Sequence, residues 1–120
     1  MTLRVLEVVI DCVDHGAVVD FWAAAMGYER TEVNEQYVGL VPPERAPGRP
    51  PLLFQKVPEP KAGKNRVHLD FRAEVMGDEV ERLRGLGATF IAERSLGAIR
   101  WTVMADPEGN EFCVSGDASG

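Results

Sequence analysis

The chain has 120 residues and a formal net charge of −6, which fits one domain. Its composition, 45% hydrophobic and 27% charged, is too apolar for a disordered protein. The acidic balance argues against binding to nucleic acid or to anionic membranes, because both need a basic surface. No run approaches the ~18 apolar residues of a membrane span.

The two cysteines, Cys12 and Cys113, are far apart and form neither a disulfide framework nor a CxxC metal motif. We interpret them as thiols of a reducing compartment. The N-terminal apolar stretch is interrupted by Arg4, Glu7 and Asp11, which is not typical of a signal peptide. The sequence therefore predicts a soluble cytoplasmic protein.

The first half of the chain predicts a strand, a helix and three more strands. Leu3–Val13 is rich in Val, Ile and Leu, which is typical of a strand. Apolar residues then recur at helical spacing over 15–26, with Asp14 as N-cap and Gly27 as the stop. The remaining strands are predicted at 28–33, 36–41 and 52–57, with a proline-rich loop between the last two.

The second half repeats this order. A strand is predicted over 66–72 and a helix over 76–86, which Gly87 ends. Asp106–Gly109, with the sequence DPEG, predicts a turn because proline fixes φ and glycine permits positive φ. The strands that follow the helix are predicted at 88–94, 99–105 and 110–115.

The matched order predicts a single α+β domain made of two βαβββ modules. Module 1 covers 1–58, a polar linker covers 58–65, and module 2 covers 66–120. Each sheet would bury one face under its helix, and the mixed sheets would together form a curved cup. The alternative is an α+β domain of two unrelated halves.

Alternation along the strands predicts which residues line the cup. Glu7 and Asp11 share one face of the first strand, opposite the apolar face that suits the helix. His68 and Asp70 share the corresponding face in module 2. Aligning the two halves places Glu7 opposite His68, and Gln55 opposite Cys113.

Five segments together resemble the vicinal oxygen chelate superfamily of glyoxalases, bleomycin-resistance proteins and ring-cleaving dioxygenases. The resemblance covers nearly the whole chain and is strongest for the small glyoxalase-like branch. It implies the two-module fold that the repeat predicts. The segments are Ile10–Asp14, Phe21–Gly27, Asn65–Asp70, Gly85–Ala88 and Asp106–Phe112.

The resemblance also implies one divalent metal, such as zinc or nickel, held by the first and last strand of each module. When the family's ligand positions are transferred to this sequence, the implied ligands are Glu7, Gln55, His68 and Cys113. The family usually has a glutamate where this chain has Cys113, and Glu111 lies two residues earlier on the same face.

Each of these residues has a functional and a structural interpretation. Glu7 is the candidate catalytic group for proton transfer, or else an ion-paired glutamate. His68 is a ligand, or else a histidine bonded to Asp70. Cys113 is a thiolate ligand, or else a small buried hydrophobic residue. The candidate substrate-binding residues are Asp11, Asp70, Trp101 and Glu111.

Three functions remain open at this stage. The first is a metal-assisted lyase or isomerase of glyoxalase type, acting on a small carbonyl or enediolate substrate. The second is a non-catalytic protein that binds a drug or metabolite, as bleomycin-resistance proteins do. The third is a scaffold domain that has lost its ligands. We expect a homodimer, because pairing would cover the open sheet edges.

Overall fold

A computed structural model describes residues 2–116 and divides the chain into two units between Pro60 and Lys61. The first unit contains β1 Val8–Cys12, α1 His15–Met26, β2 Glu29–Glu32, β3 Tyr37–Val41 and β4 Leu52–Lys56. The second contains β5 Leu69–Ala73, α2 Met76–Leu86, β6 Thr89–Leu96, β7 Ile99–Ala105 and β8 Glu111–Gly116. Residue 1 and residues 117–120, which the predicted modules include, lie outside the described residues.

Each unit has one four-stranded mixed sheet with the same strand order. The orders are β1-β4-β3-β2 and β5-β8-β7-β6, and the first strand pairs in parallel with the last. The other strand pairs are antiparallel. This topology confirms the predicted α+β fold of two βαβββ modules. The cup that would join them stays a prediction.

Helix α1 begins and ends where the sequence predicts. The Asp14 side chain accepts a hydrogen bond from the Gly16 amide at 3.0 Å, and Gly27 ends the helix at φ 68°. Helix α2 ends at Gly87 as predicted, but Val75 precedes it without a side-chain cap. Its first turn instead carries Asp78 and Glu79, which favour a helix N-terminus electrostatically.

Both helices cover one face of their sheet. Val18 and Trp22 of α1 are buried, and so are Val80 and Leu83 of α2. In β4 and β5 the more buried residues alternate with more exposed ones; in β5, for example, Phe71 is half-buried and Asp70 is exposed. Neither of the two helices in the described chain is long and apolar enough to cross a bilayer.

The two initial strands begin later than predicted. Strand β1 starts at Val8 rather than Leu3, and β5 starts at Leu69 rather than Arg66. For β1 the reason is the length of the partner strand: Val8 pairs with Leu52, which is the first residue of β4. Apolar residues upstream, such as Leu3, have no ladder partner and are exposed.

The turn before β8 has the predicted conformation. Asp106 is buried, and its Oδ1 accepts hydrogen bonds from the Glu108 and Asn110 amides, each at 2.9 Å. Gly109 adopts φ 87° and donates its amide to the Asp106 carbonyl at 2.9 Å. The turn therefore fixes where β8 begins.

Candidate functional site

Three polar side chains of the second unit come together at the start of β5. The parallel ladder places Asp70 opposite Cys113, and His68 immediately precedes the strand. His68 Nε2 lies 3.2 Å from Asp70 Oδ1. The donor atoms of the three residues all lie within 4.8 Å of one another. We call His68, Asp70 and Cys113 the donor cluster.

The donor cluster combines exposed and buried groups. The side chains of His68 and Asp70 are 42% and 72% exposed, whereas Cys113 is only 6% exposed. Burial raises the pKa of the Cys113 thiol, and the charge of Asp70 and a hydrogen bond with it raise this pKa further. The thiol is therefore protonated at neutral pH and donates to the Asp70 carboxylate.

The donor set fits a divalent metal of zinc type. Imidazole nitrogen, carboxylate oxygen and thiolate sulfur are the ligands that zinc prefers. Ligand atoms on one tetrahedral zinc lie about 3.3–3.8 Å apart, given bond lengths of about 2.0–2.3 Å. The cluster would therefore tighten slightly on binding, and Cys113 would lose its proton.

Glu111 has a different set of contacts. Its Oε1 accepts a hydrogen bond from the Asn65 amide at 3.0 Å and lies 3.1 Å from Lys61 Nζ. The Asn65 side-chain amide donates to the Glu111 carbonyl at 3.3 Å. The bond from the Asn65 backbone, followed by that from Lys61, holds the pKa of Glu111 below its ordinary value. Through its hydrogen bonds with Asn65 and its ion pair with Lys61, Glu111 links segment 61–65 to β8.

The other predicted ligands belong to the first unit. Glu7 is half-buried and immediately precedes β1, and Gln55 lies opposite Asp11 in the β1–β4 ladder. Asp11 is exposed on the face of β1 that points away from the buried Cys12. The predicted convergence of Glu7 and Gln55 on His68 and Cys113 stays a prediction.

The ladders show how the two predicted correspondences between the halves relate to each other. With Glu7 opposite His68, Asp70 corresponds to Val9, whose ladder partner is Leu53. With Gln55 opposite Cys113, Asp70 corresponds instead to Asp11. The two correspondences therefore differ by two residues, which keeps the same face of the strand.

Trp101 is half-buried on β7. It pairs with Ser115 on one side and Arg94 on the other. Val103 of the same strand pairs with Cys113, so Trp101 shares a sheet face with the donor cluster. This placement is compatible with the predicted role of Trp101 in substrate binding.

Two residues have contacts that the sequence alone did not indicate. Asp70 lies 3.2 Å from His68, as the structural interpretation of His68 expects, and it also hydrogen-bonds the Cys113 thiol. The predicted contact of Asp70 with substrate stays a prediction. His15, the first residue of α1, has Nε2 at 3.1 Å from the Gln36 carbonyl and 3.2 Å from the Phe54 carbonyl.

Solved structures of similar fold come from several bacteria. A glyoxalase/bleomycin resistance protein/dioxygenase family enzyme from Burkholderia phytofirmans PsJN is 20% identical, with a TM-score of 0.74 over 92% of this chain and 96% of that one. A glyoxalase-related enzyme from Fulvimarina pelagi is 13% identical, with a TM-score of 0.73 over 97% and 89%.

A third similar structure is a mutant of the fosfomycin resistance protein FosX from Listeria monocytogenes, complexed with Mn(II) and 1S,2S-dihydroxypropylphosphonic acid. It is 13% identical, with a TM-score of 0.77 over 96% of this chain and 90% of that one. No curated protein matches the sequence. The family model described as "Glyoxalase-like domain" matches residues 7–115. The chain therefore belongs to the glyoxalase-like domain family.

Proposed function

We propose that the chain is a metal-dependent lyase or isomerase of glyoxalase type that acts on a small carbonyl or enediolate substrate. The observation that carries this proposal is the donor cluster, whose nitrogen, oxygen and sulfur atoms lie within 4.8 Å of one another. FosX of Listeria monocytogenes, a protein of the same fold, has been crystallised with Mn(II), which is consistent with a metal in this family.

The residues of the donor cluster would hold the metal as neutral imidazole, carboxylate and thiolate. A bound divalent metal would act as a Lewis acid toward a substrate oxygen. Asp70 Oδ1 lies 3.2 Å from His68 Nε2, so these two candidate ligands are already close to each other. In this proposal Glu7 moves the substrate proton, and Gln55 is a further ligand from the first unit.

Elemental analysis after mild purification tests the metal. We expect about one zinc or nickel per chain in the wild type and loss of the metal in His68→Ala and Cys113→Ser. Cys12→Ser is the matched control, because Cys12 is the other buried thiol and lies in the first unit. Wild-type protein that takes up no zinc in equilibrium dialysis, or Cys113→Ser protein that retains it fully, would refute the proposed site.

A second candidate function is the binding of a drug or metabolite without chemistry. The structural interpretation of Cys113 supports it, because this side chain is only 6% exposed and is packed like a small hydrophobic residue. Thermal-shift screening with cationic aromatic compounds distinguishes the two, because a binder raises the Tm with no turnover. Metal-dependent turnover of a carbonyl substrate would exclude this second function.

We further propose a homodimeric cytoplasmic protein whose two modules form one glyoxalase-like domain. Four strands, β1, β2, β5 and β6, are edges of their sheets, and edges are commonly covered by pairing. Both cysteines are buried thiols, which suits a reducing compartment. Analytical ultracentrifugation at tens of micromolar should show a species of twice 13.2 kDa; a single monomeric species would refute the dimer.

A further inference from the structure

A row of four side chains crosses the sheet of the second unit. Trp101 pairs with Ser115 on β8 and with Arg94 on β6, and Ser115 pairs with Arg72 on β5. Paired residues point to the same side of a sheet, about 5 Å apart, so all four share one face. We call Arg94, Trp101, Ser115 and Arg72 the arginine–tryptophan row.

The row lies on the face that α2 leaves uncovered. Thr102 and Val114, the sequence neighbours of Trp101 and Ser115, are buried at 2% and 1% exposure. Trp101 itself is half-buried, and Arg72 and Arg94 are exposed. Because side chains alternate along a strand, the row and the buried core residues are on opposite faces.

The row is adjacent to the donor cluster. Arg72 follows Asp70 by two residues on β5, and Ser115 follows Cys113 by two residues on β8. Two residues along a strand span about 7 Å, so the row and the cluster are neighbours on the same face. A molecule the size of one aromatic ring with a substituent would reach both.

The chemistry of the row selects an anionic, planar ligand. A guanidinium group presents a planar fork of donors that matches a carboxylate, and this row has one at each end. The indole between them offers a flat apolar surface on which a ring can stack. Two cations in one row stand out in a chain whose net charge is −6.

We propose that the arginine–tryptophan row binds the planar, carboxylate-bearing part of a small-molecule substrate. This inference rests on the proposed function, because it names the substrate class of the same site. The carboxylate binds to Arg72 or Arg94, the planar body stacks on Trp101, and the reacting end of the molecule lies at the donor cluster.

Quenching of Trp101 fluorescence tests the inference directly. The chain has two tryptophans, and Trp22→Phe removes the other one, which is buried in the first unit. In that background we expect saturable quenching by 4-nitrobenzoate, a planar carboxylate. The neutral isostere 4-nitrobenzamide should bind at least about tenfold more weakly, since it lacks the charge that pairs with arginine. Equal affinity for the two probes, or quenching that does not saturate, would overturn the proposal.

Arginine variants then locate the anion. Arg72→Gln and Arg94→Gln should each raise the Kd for 4-nitrobenzoate, together by about tenfold or more. Arg100→Gln is the matched control. Arg100 is adjacent to Trp101 in sequence, but its side chain is on the opposite face of the sheet, where it forms an ion pair with Glu93. If Arg100→Gln weakens binding as much as the other two, general charge is responsible and the row is not a site.

The test separates this inference from the proposed function. All titrations are run first with EDTA and then with zinc. A protein that binds no metal but shows arginine-dependent quenching refutes the metal site and supports the row. A protein that binds zinc through the donor cluster but discriminates neither probe refutes the row alone. The comparison of 4-nitrobenzoate with 4-nitrobenzamide uses protein in which both arginines are present. Its result therefore does not depend on whether the arginine variants fold.

Discussion

Asp70 lies directly opposite Cys113 in the parallel β5–β8 ladder, and its carboxylate raises the pKa of the Cys113 thiol. The same carboxylate lies 3.2 Å from His68 Nε2. Asp70 is thus the central member of the donor cluster, although it is also its most exposed member.

Neutralising Asp70 should make Cys113 more reactive. In metal-free protein, Asp70→Asn removes the negative charge that opposes thiolate formation, so the pKa of Cys113 falls and more thiolate is present at mildly alkaline pH. We expect iodoacetamide to alkylate Cys113 severalfold faster than in the wild type, measured by peptide mass spectrometry. Alkylation of Cys12 in the same sample is the internal control. An unchanged rate at Cys113 would contradict this coupling.

Glu111 should stabilise the fold in a pH-dependent manner. Its contacts hold its folded pKa below the ordinary value of 4.5, so its contribution is present above that value and is lost as the pH falls through the folded pKa. Glu111→Gln should lower the free energy of unfolding by about 1–2 kcal/mol near pH 7. The difference from wild type should shrink by about pH 3.

Glu81→Gln is the control for that measurement. Glu81 forms an exposed ion pair with Arg84 on α2, and such pairs contribute little. Urea unfolding at both pH values should show almost no effect of this variant. If Glu111→Gln behaves like Glu81→Gln, the contacts with Asn65 and Lys61 do not stabilise the protein.

His15 should be required for stability of the first unit. Its Nε2 lies within hydrogen-bonding distance of two carbonyls. The Gln36 carbonyl immediately precedes β3, and the Phe54 carbonyl belongs to β4. His15→Ala should cost about 1–2 kcal/mol in urea unfolding, because the carbonyl of the buried Phe54 loses a donor. His15→Gln, which retains a side-chain donor, should recover part of the loss. A change within about 0.5 kcal/mol for the alanine variant would argue against this role.

Two glycines should respond to alanine with opposite signs. Gly27 ends α1 at φ 68°, where a Cβ is strained, so Gly27→Ala should destabilise by about 1 kcal/mol. Gly85 lies within α2, and apart from its chain neighbours and the backbone of α2 itself no atom of the described residues lies within 4 Å of an added Cβ. Gly85→Ala should therefore stabilise by about 0.5–1 kcal/mol. Thermal unfolding of both variants checks the sign, and the same sign for both would contradict the argument.

Local signals in the sequence predicted the helices well. Asp14, Gly27 and Gly87 act within a few residues, so both helices have the predicted bounds. Strand starts depend on the length of the partner strand, which is why β1 begins at Val8 and not at Leu3. Alternating apolar residues continue upstream, but without a partner they form no ladder.

The candidate site also combines a feature that local sequence predicts with one that depends on strand pairing. Strand alternation was enough to place His68 and Asp70 on one face. The pairing of Asp70 with Cys113 depends on the β5–β8 register, which the packing of the whole unit determines. Alignment of the two halves by sequence therefore gave two correspondences, Glu7 with His68 and Gln55 with Cys113, that differ by two residues once the ladders are known.

The parallel β5–β8 ladder also has a kinetic consequence. Its two strands are the first and last of their unit, with α2, β6 and β7 between them in the chain. Closing such a long loop costs chain entropy that local contacts do not offset, so this ladder should form late in folding. His68 and Asp70 would meet Cys113 only at that step. Partly folded chains would then present no assembled donor cluster, and a metal or substrate at this site would select for the fully folded unit.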